Sequence, residues 1–143
     1  MQYIDTSVLV AYLVSETYSE LAIQTMRNAQ RKPLAISTWT ETEFYSALGI
    51  KCRTKQITEK QYRDVQEHYL SIKQNWVWLP VSDANYEMAS HFLKHWQTGL
   101  RAGDALHLAI ATHHNALLLT LDERLAKAAN VLSCSSEWLC ETQ

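Results

Sequence analysis

The chain has 143 residues, of which 47% are apolar and 20% charged, a balance typical of a folded globular domain rather than a disordered segment. Its 13 basic and 15 acidic residues leave a formal charge of −2, which excludes a strongly basic protein that coats nucleic acid without specificity. We therefore expect one domain over residues 1–143, with one substantial core.

The first half of the chain alternates short strand patterns with longer helical ones. In chain order the predicted elements are a strand at Gln2–Ile4, helices at Thr6–Val14 and Tyr18–Gln30, a strand at Leu34–Ser37 and a helix from Thr38 or Thr40 to Lys51. A further helix is indicated by a capping box of Thr58 with Gln61 and by a hydrophobic staple of Ile57 with Tyr62.

The second half continues the alternation. Its predicted elements are a strand at Trp76–Val81, a helix at Ser82–Gln97, a helix opened by Asp104, a strand at Ala116–Thr120, a helix at Asp122–Asn130 and an edge strand at Val131–Ser133. The segment from Ser135 to Gln143 carries no predicted element. Strand Ala116–Thr120 is hydrophobic throughout, as in a strand covered on both faces. The pattern predicts an α/β fold: a three-layer α/β/α sandwich with a mostly parallel sheet of about four to five strands.

Cysteine usage and the lack of a long apolar run predict the location. The three cysteines have no C-x-x-C spacing, which disfavours a disulfide framework or a zinc site and favours a reducing compartment. The N-terminus has no basic region of a signal peptide, and the longest apolar run, Val8–Val14, is too short to cross a bilayer. We expect a cytoplasmic protein that does not associate with membranes.

Four acidic residues are predicted to meet at one edge of the sheet. Asp5 follows the first strand and Asp122 the fourth, Glu43 lies in the helix after the second strand, and Asp104 opens the central helix. In parallel sheets the carboxyl ends of the strands share one edge, where active sites lie.

Each of these acids also has a purely structural explanation. Asp5 and Asp122 suit helix N-caps, and Asp104 suits a helix dipole. Glu43 suits a capping box with Thr40.

Carboxylates that lie close together repel one another, and each raises the pKa values of the others. Arg101 and Arg124, which lie near Asp104 and Asp122 in the sequence, supply only two positive charges against these four negative ones. A divalent cation would balance the remainder, and hard oxygen ligands select Mg²⁺ or Mn²⁺. Such an ion suits phosphodiester hydrolysis, because it activates water and offsets charge on the phosphate oxygens. Thr6 is expected to bond Asp5 or a water at the ion, although a turn or cap role is equally open. The other hydroxyl residues expected near the site are Ser7, Ser37 and Thr120. Both arginines are candidate phosphate contacts.

These same residues carry a resemblance to a known family. Four segments resemble the PIN domain, and more narrowly the VapC toxins of bacterial type II toxin–antitoxin systems. They are Tyr3–Leu9, Ser37 together with Glu43 six positions later, Gly103–Ala109 and Leu119–Leu125. The resemblance covers most of the chain, from Asp5 to about Asn130, in order and spacing.

The resemblance implies a PIN-like fold and a metal-dependent endoribonuclease. Asp5, Glu43, Asp104 and Asp122 would be its acidic quartet, acting as catalytic and Mg²⁺- or Mn²⁺-binding residues. It also implies a homodimer, a VapB-like antitoxin partner that blocks the site, and an RNA substrate, often transfer RNA.

Several other residues have competing interpretations. His107, one turn after Asp104, is predicted to be a buried hydrogen-bonded residue rather than part of the pocket. Trp39 lies four residues before Glu43 and is predicted either to stack a base or to pack in the core or an interface. Lys51, Arg53 and Lys55 form a basic cluster that is interpreted either as solvated surface or as a contact for RNA. Trp76 and Trp78 are interpreted either as core residues or as part of a dimer surface.

Three alternative functions can be compared with the nuclease. A haloacid dehalogenase-type phosphatase needs a second Asp two residues after the first, where this chain has Ser7. A signalling receiver domain needs an acidic pair after the first strand, and Asp5 stands alone there. The main alternative is a PIN-like binding module that has lost activity and acts through protein or RNA partners.

Overall fold

The computed structural model describes residues 1–141, so the last two positions of the predicted domain lie outside the described residues. Strands and helices alternate along the chain. The elements are β1 (Gln2–Ile4), α1 (Thr6–Leu13), α2 (Ser19–Arg27), β2 (Leu34–Ser37), α3 (Thr38–Arg53), α4 (Glu59–Ile72), β3 (Val77–Leu79), α5 (Asp83–Leu93), α6 (Ala102–His113), β4 (Leu117–Thr120), α7 (Glu123–Val131) and β5 (Ser136–Trp138).

The five strands form one parallel sheet in the order β3-β2-β1-β4-β5. The chain adds β2 and β3 on one side of β1 and then returns to place β4 and β5 on the other side. Strand order therefore reverses between β1 and β4, where Tyr3 pairs with Leu118. A crevice at the carboxyl ends of the strands is expected at such a point.

Helices cover both faces of the sheet, because alternate strand residues point to opposite sides. Tyr3 and Leu118 pack with the helices α5, α6 and α7 in one buried cluster. Ile4 and Leu119, the next residue of each strand, pack in a second cluster with α1 to α4. The three-layer α/β/α sandwich with a parallel sheet is confirmed. No helix among residues 1–141 is long and apolar enough to cross a membrane.

The predicted edge strand at Val131–Ser133 is wrong. Val131 ends α7, and the backbone N–H of Leu132 still bonds the carbonyl of Ala128 at 3.0 Å, as in a helix. Of the two apolar residues there, Leu132 packs against a buried cluster, whereas Val131 is 69% exposed. The true edge strand is β5, whose residues are all partly exposed, so it shows no apolar run.

The predicted helix Ser82–Gln97 is too long. It begins as predicted, since Ser82 and Asn85 form a capping box, but α5 ends at Leu93. A short 3-10 turn follows at Trp96–Thr98, and the chain then turns at Gly99, whose φ is +70°. Trp96 is 78% exposed and does not extend the buried face. The predicted β3 and α2 are also longer than the observed elements.

The capping box of Thr58 and Gln61 at the start of α4 is confirmed, with both reciprocal bonds present at 2.8 and 3.1 Å. Thr58→Ala should therefore lower the free energy of unfolding by about 1 kcal/mol, since an orphan helix N–H loses its acceptor. Urea denaturation measures the change. Thr58→Ser keeps the oxygen and should stay close to the parent; an equal loss in both variants would contradict the capping explanation.

Candidate active site

Asp5 directly follows β1 and caps α1. Its Oδ1 accepts hydrogen bonds from the Ser7 hydroxyl at 2.5 Å and the Val8 backbone N–H at 3.2 Å. The Thr120 hydroxyl at the end of β4 donates to Oδ2. Burial raises the pKa of Asp5, against the opposing effects of His107 and these three donors. The structural explanation is therefore confirmed, and the same bonds hold both oxygens at the carboxyl ends of β1 and β4.

Glu43 lies in α3, but it is not part of a capping box. That box is formed by Ser37 and Thr40, so the structural alternative for Glu43 is wrong. Glu43 Oε1 instead accepts from the Thr6 hydroxyl at 2.7 Å and lies 2.5 Å from His107 Nε2. Burial raises the pKa of Glu43, but the bonds from His107 and Thr6 outweigh it and bring the pKa below its ordinary value. Glu43 is thus held as a carboxylate.

Asp104 lies in the first turn of α6 and faces the other acids. Burial, with the charges of Asp122 and Asp5, raises the pKa of Asp104 to about 6. Glu43 adds to this shift in the pKa, and His107 opposes it. Since electrostatic effects weaken with distance, the shift indicates that all four acids act in one local field.

Asp122 caps α7, with Oδ1 accepting from the backbone N–H groups of Arg124 at 2.9 Å and Leu125 at 3.4 Å. Together with Asp104 it lines a small cavity of about 70 Å³, whose wall also includes Arg101 and Arg124. Neither arginine forms an ion pair with an acid within the described part of the chain. Both guanidinium groups therefore remain available to an anion that enters this cavity.

A wider groove of about 390 Å³ adjoins the acids. Its wall includes Thr6 and Ser7 of α1 together with Leu121 and Asp122, and it extends towards Tyr18 at the start of α2. The groove and the smaller cavity share Asp122. An extended molecule lying in the groove would thus pass next to the carboxylates.

The four carboxylates influence one another electrostatically, but their oxygens do not surround a single point where an ion could bind. Across residues 1–141, no three acidic, imidazole or thiol groups lie close enough together to hold one ion in this arrangement. The chemistry of the donors nevertheless fits a hard divalent cation, because all are carboxylate oxygens, and the charges of the other acids add to the effect of burial in raising the pKa of Asp104. Binding an ion requires the carboxylates to move closer.

Gly103, directly before Asp104, leaves room for the Glu43 side chain. A Cβ at Gly103 would lie 2.8 Å from Glu43 Oε2 and 3.4 Å from Cζ2 of Trp39. The indole N–H of Trp39 donates to the Gly103 carbonyl at 3.1 Å, so the backbone here is fixed against α3. Trp39 lies beside the site, as its spacing predicts, while its role in stacking a base stays a prediction.

The expected hydroxyl residues divide into two groups. Ser7 and Thr120 hold Asp5, as expected for residues that support an acid. Thr6 bonds Glu43 rather than Asp5, so the first of its two predicted partners is wrong, while a bond to a water at the ion stays a prediction. The reason is that Thr6 begins α1 and faces α3, whereas the oxygens of Asp5 turn towards β4.

Ser37 bonds with Tyr3 and Thr40, and its supporting role at the site stays a prediction. Its hydroxyl lies 2.8 Å from Tyr3 Oη and 3.3 Å from Thr40 Oγ1. Tyr3 in turn lies 2.8 Å from His107 Nδ1. His107 is buried and hydrogen-bonded as predicted, at 1% exposure, but it also contacts Glu43 directly. Sequence reasoning missed Tyr3, whose only signal is its inward position on β1.

The other sequence candidates lie apart from the acids. Glu41, two residues before Glu43, faces elsewhere on α3 and accepts bonds from Tyr69 Oη at 2.6 Å and Lys73 Nζ at 2.8 Å. Lys51 of the basic cluster pairs with Glu16 at 3.1 Å. Trp76 packs at the margin of a buried cluster.

Asp104→Asn should stabilise the metal-free protein at neutral pH. The raised pKa means that the folded state binds this proton more tightly than the unfolded chain. Ionisation of Asp104 therefore lowers stability as pH rises from the ordinary pKa of 3.8 to about 6. Asparagine removes that penalty, so the gain should be absent below about pH 4 and complete above about pH 6.

Urea denaturation across this pH range, with EDTA present, measures the gain. The control is Asp64→Asn, at an exposed residue ion-paired with Lys60, and it should show no such gain. A gain for Asp104→Asn that does not change with pH would contradict the cause of the raised pKa.

Comparison with solved structures places the fold. FitAcB from Neisseria gonorrhoeae is 18% identical, with a TM-score of 0.71, covering 95% of this chain and 96% of that one. VapC20 from Mycobacterium tuberculosis, a sarcin-ricin loop cleaving toxin, is 16% identical, with a TM-score of 0.70 and coverage of 90% and 95%. VapBC2 from Rickettsia felis, bound to a DNA fragment from their promoter, is 19% identical, with a TM-score of 0.62 and coverage of 96% and 98%.

At these identities the likeness shows the shared fold. No curated protein matches the chain in sequence. The PIN domain profile, however, matches residues 2–131, which include all four acids and every strand except β5. The chain therefore belongs to the PIN domain family.

Proposed function

We propose that the protein is a Mg²⁺- or Mn²⁺-dependent endoribonuclease and the toxin of a VapBC-type toxin–antitoxin pair. The observation that carries the proposal is the position of Asp5 and Asp122 directly after β1 and β4, where strand order reverses. Glu43 and Asp104 act in the same local field, and burial with the three other acids raises the pKa of Asp104. Negative charge concentrated at the functional edge of the sheet is costly to a structure unless it serves a positive ligand.

The comparisons support this proposal at the level of the family and the fold. Similar structures include a toxin described as cleaving the sarcin-ricin loop and a toxin–antitoxin complex from Klebsiella pneumoniae, the latter with a TM-score of 0.61. In the proposal an antitoxin of VapB type is the protein partner and the active form is a homodimer. The substrate is RNA, with transfer RNA as the first class to test, and the protein acts in the cytoplasm where such RNA is present.

Asp5, Glu43, Asp104 and Asp122 would hold the ion. When bound, the ion supplies an activated water and offsets negative charge that develops at the scissile phosphate. The chain's own groups do the rest. Arg101 and Arg124 bind the phosphate in the small cavity, and the groove beside Thr6 and Ser7 orients the strand.

A binding module without catalysis is the second candidate function. Two observations favour it: the absence within residues 1–141 of three ligands close enough to hold an ion, and the capping bonds that occupy Asp5 and Asp122. In that case the acids would act only as structural residues, and the same groove would bind RNA or a protein segment without cleaving it.

Cleavage of RNA by the purified protein separates the two functions. Cleavage should require Mg²⁺ or Mn²⁺ and stop with EDTA. Asp5→Asn and Asp104→Asn should each reduce the rate at least about 100-fold, because metal stabilisation contributes several kcal/mol to the transition state. Both variants should fold, since asparagine also caps helices well and removes a buried charge.

The control for this experiment is Asp64→Asn, which replaces an exposed acid on α4 and should cleave at the parent rate. Cleavage at parental rates by both site variants would contradict the nuclease assignment. Specific RNA binding without cleavage under any divalent ion would favour the binding module.

Gly103→Ala should reduce cleavage without destabilising the protein. Its Cβ would displace Glu43 Oε2, which cannot move freely because Oε1 is held by Thr6 and His107. Helix propensity favours alanine over glycine by about 1 kcal/mol, so stability should be maintained. Gly49→Ala is the matched control, because its Cβ meets only the flexible end of Arg53. Equal cleavage rates in the two variants would contradict the requirement for a close approach at Gly103.

A further inference from the structure

We propose that Tyr3 and His107 form a positioning pair that holds Glu43 with one oxygen turned towards a divalent cation. This inference rests on the proposed function, in which Glu43 is a metal ligand. His107 thereby has a specific task at the site, beyond filling space in the core.

The contacts form one continuous chain through the interior. His107 Nε2 lies 2.5 Å from Glu43 Oε1, and His107 Nδ1 lies 2.8 Å from Tyr3 Oη. Tyr3 is fully buried and His107 is 1% exposed, so water does not compete for these bonds. These contacts connect β1, which directly precedes Asp5, with α6 and α3, which carry Asp104 and Glu43.

Counting donors and acceptors assigns a direction to these bonds. Ser37 Oγ accepts from the Thr40 N–H at 3.3 Å, and Thr40 Oγ1 accepts from the Ser37 N–H at 3.2 Å. Even if one of these hydroxyls donates to the other across 3.3 Å, the remaining one can donate to Tyr3 Oη, which lies 2.8 Å from Ser37 Oγ and 3.1 Å from Thr40 Oγ1. Tyr3 Oη, which accepts that bond, donates its own proton to His107 Nδ1 at 2.8 Å.

This direction leaves the ring proton of His107 on Nε2, where it donates to Glu43 Oε1. Thr6 donates to the same oxygen at 2.7 Å. By contrast, Glu43 Oε2 receives no hydrogen bond from residues 1–141 and lies beside Gly103. Two donors thus fix one oxygen and leave the other available to a cation. Asp5 differs, because protein donors occupy both of its oxygens.

Three variants test the pair. Tyr3→Phe keeps the ring and removes the hydroxyl, so the proton of His107 is no longer fixed on Nε2. His107→Leu removes the donor to Glu43, whereas His107→Gln keeps an N–H of similar reach. Loss of a residue that orients a metal ligand typically weakens metal affinity by about 10–100-fold. We expect that loss for Tyr3→Phe and His107→Leu, and partial recovery for His107→Gln.

The readout is Mn²⁺ binding by isothermal titration calorimetry at one neutral pH, with unfolding in EDTA measured in parallel. Tyr69→Phe is the matched control. Tyr69 is also fully buried, and its hydroxyl donates to another carboxylate, Glu41, at 2.6 Å. It should lose similar stability to Tyr3→Phe while binding Mn²⁺ as the parent does. RNA kinetics should show kcat falling in Tyr3→Phe with KM nearly unchanged.

The outcomes separate this inference from the proposed function. A parent protein that neither binds Mn²⁺ nor cleaves RNA overturns both. A parent that binds Mn²⁺, with Tyr3→Phe and His107→Leu binding it equally well, overturns the positioning pair alone. If His107→Leu does not fold, parental binding of Mn²⁺ by Tyr3→Phe still overturns the pair. Nitrogen NMR of the metal-free parent gives an independent test: a proton on Nδ1 of His107 rather than on Nε2 would contradict the assigned direction.

Discussion

The negative charges of four acidic side chains are concentrated where the sheet reverses its strand order. Much of the surrounding structure is arranged around these charges. Burial and three neighbouring acids raise the pKa of Asp104 to about 6, so the metal-free site cannot hold all its carboxylates ionised at low cost. The arginines of the site do not neutralise this negative charge. Arg101 and Arg124 line the adjacent cavity but form no ion pair with an acid in the described chain. A cation at this edge would remove the penalty and restore ordinary ionisation.

Structural and functional explanations of the same residue need not compete. Asp5 and Asp122 do cap α1 and α7, and those caps place their carboxylates at the carboxyl ends of β1 and β4. Glu43 caps nothing, and its conformation depends instead on Thr6 and His107. It is therefore the acid whose position is least explained by helix formation and best explained by a role at the site.

The sheet and the four acids were predictable because their signals are local. The buried strands β2 and β4 show nearly continuous apolar runs. Asp5 and Asp122 follow strands, Asp104 lies in the first turn of a helix, and Glu43 lies within the helix after β2. Strand β5 was not predictable, since an edge strand that is partly exposed lacks such a run. The contacts of His107 were also hidden. Tyr3 and Glu43 lie 104 and 64 positions from it in the chain, and only the three-dimensional fold brings these side chains together.

Within residues 1–141 the four carboxylates influence one another electrostatically, but no three of them lie close enough together to hold one ion. Anomalous diffraction from a crystal soaked in Mn²⁺ tests the central claim most directly. The account predicts an anomalous peak among the carboxylates of Asp5, Glu43, Asp104 and Asp122, with Glu43 Oε2 among the coordinating oxygens. A fully soaked crystal with no peak at this edge of the sheet, or with a peak only elsewhere on the molecule, would contradict it.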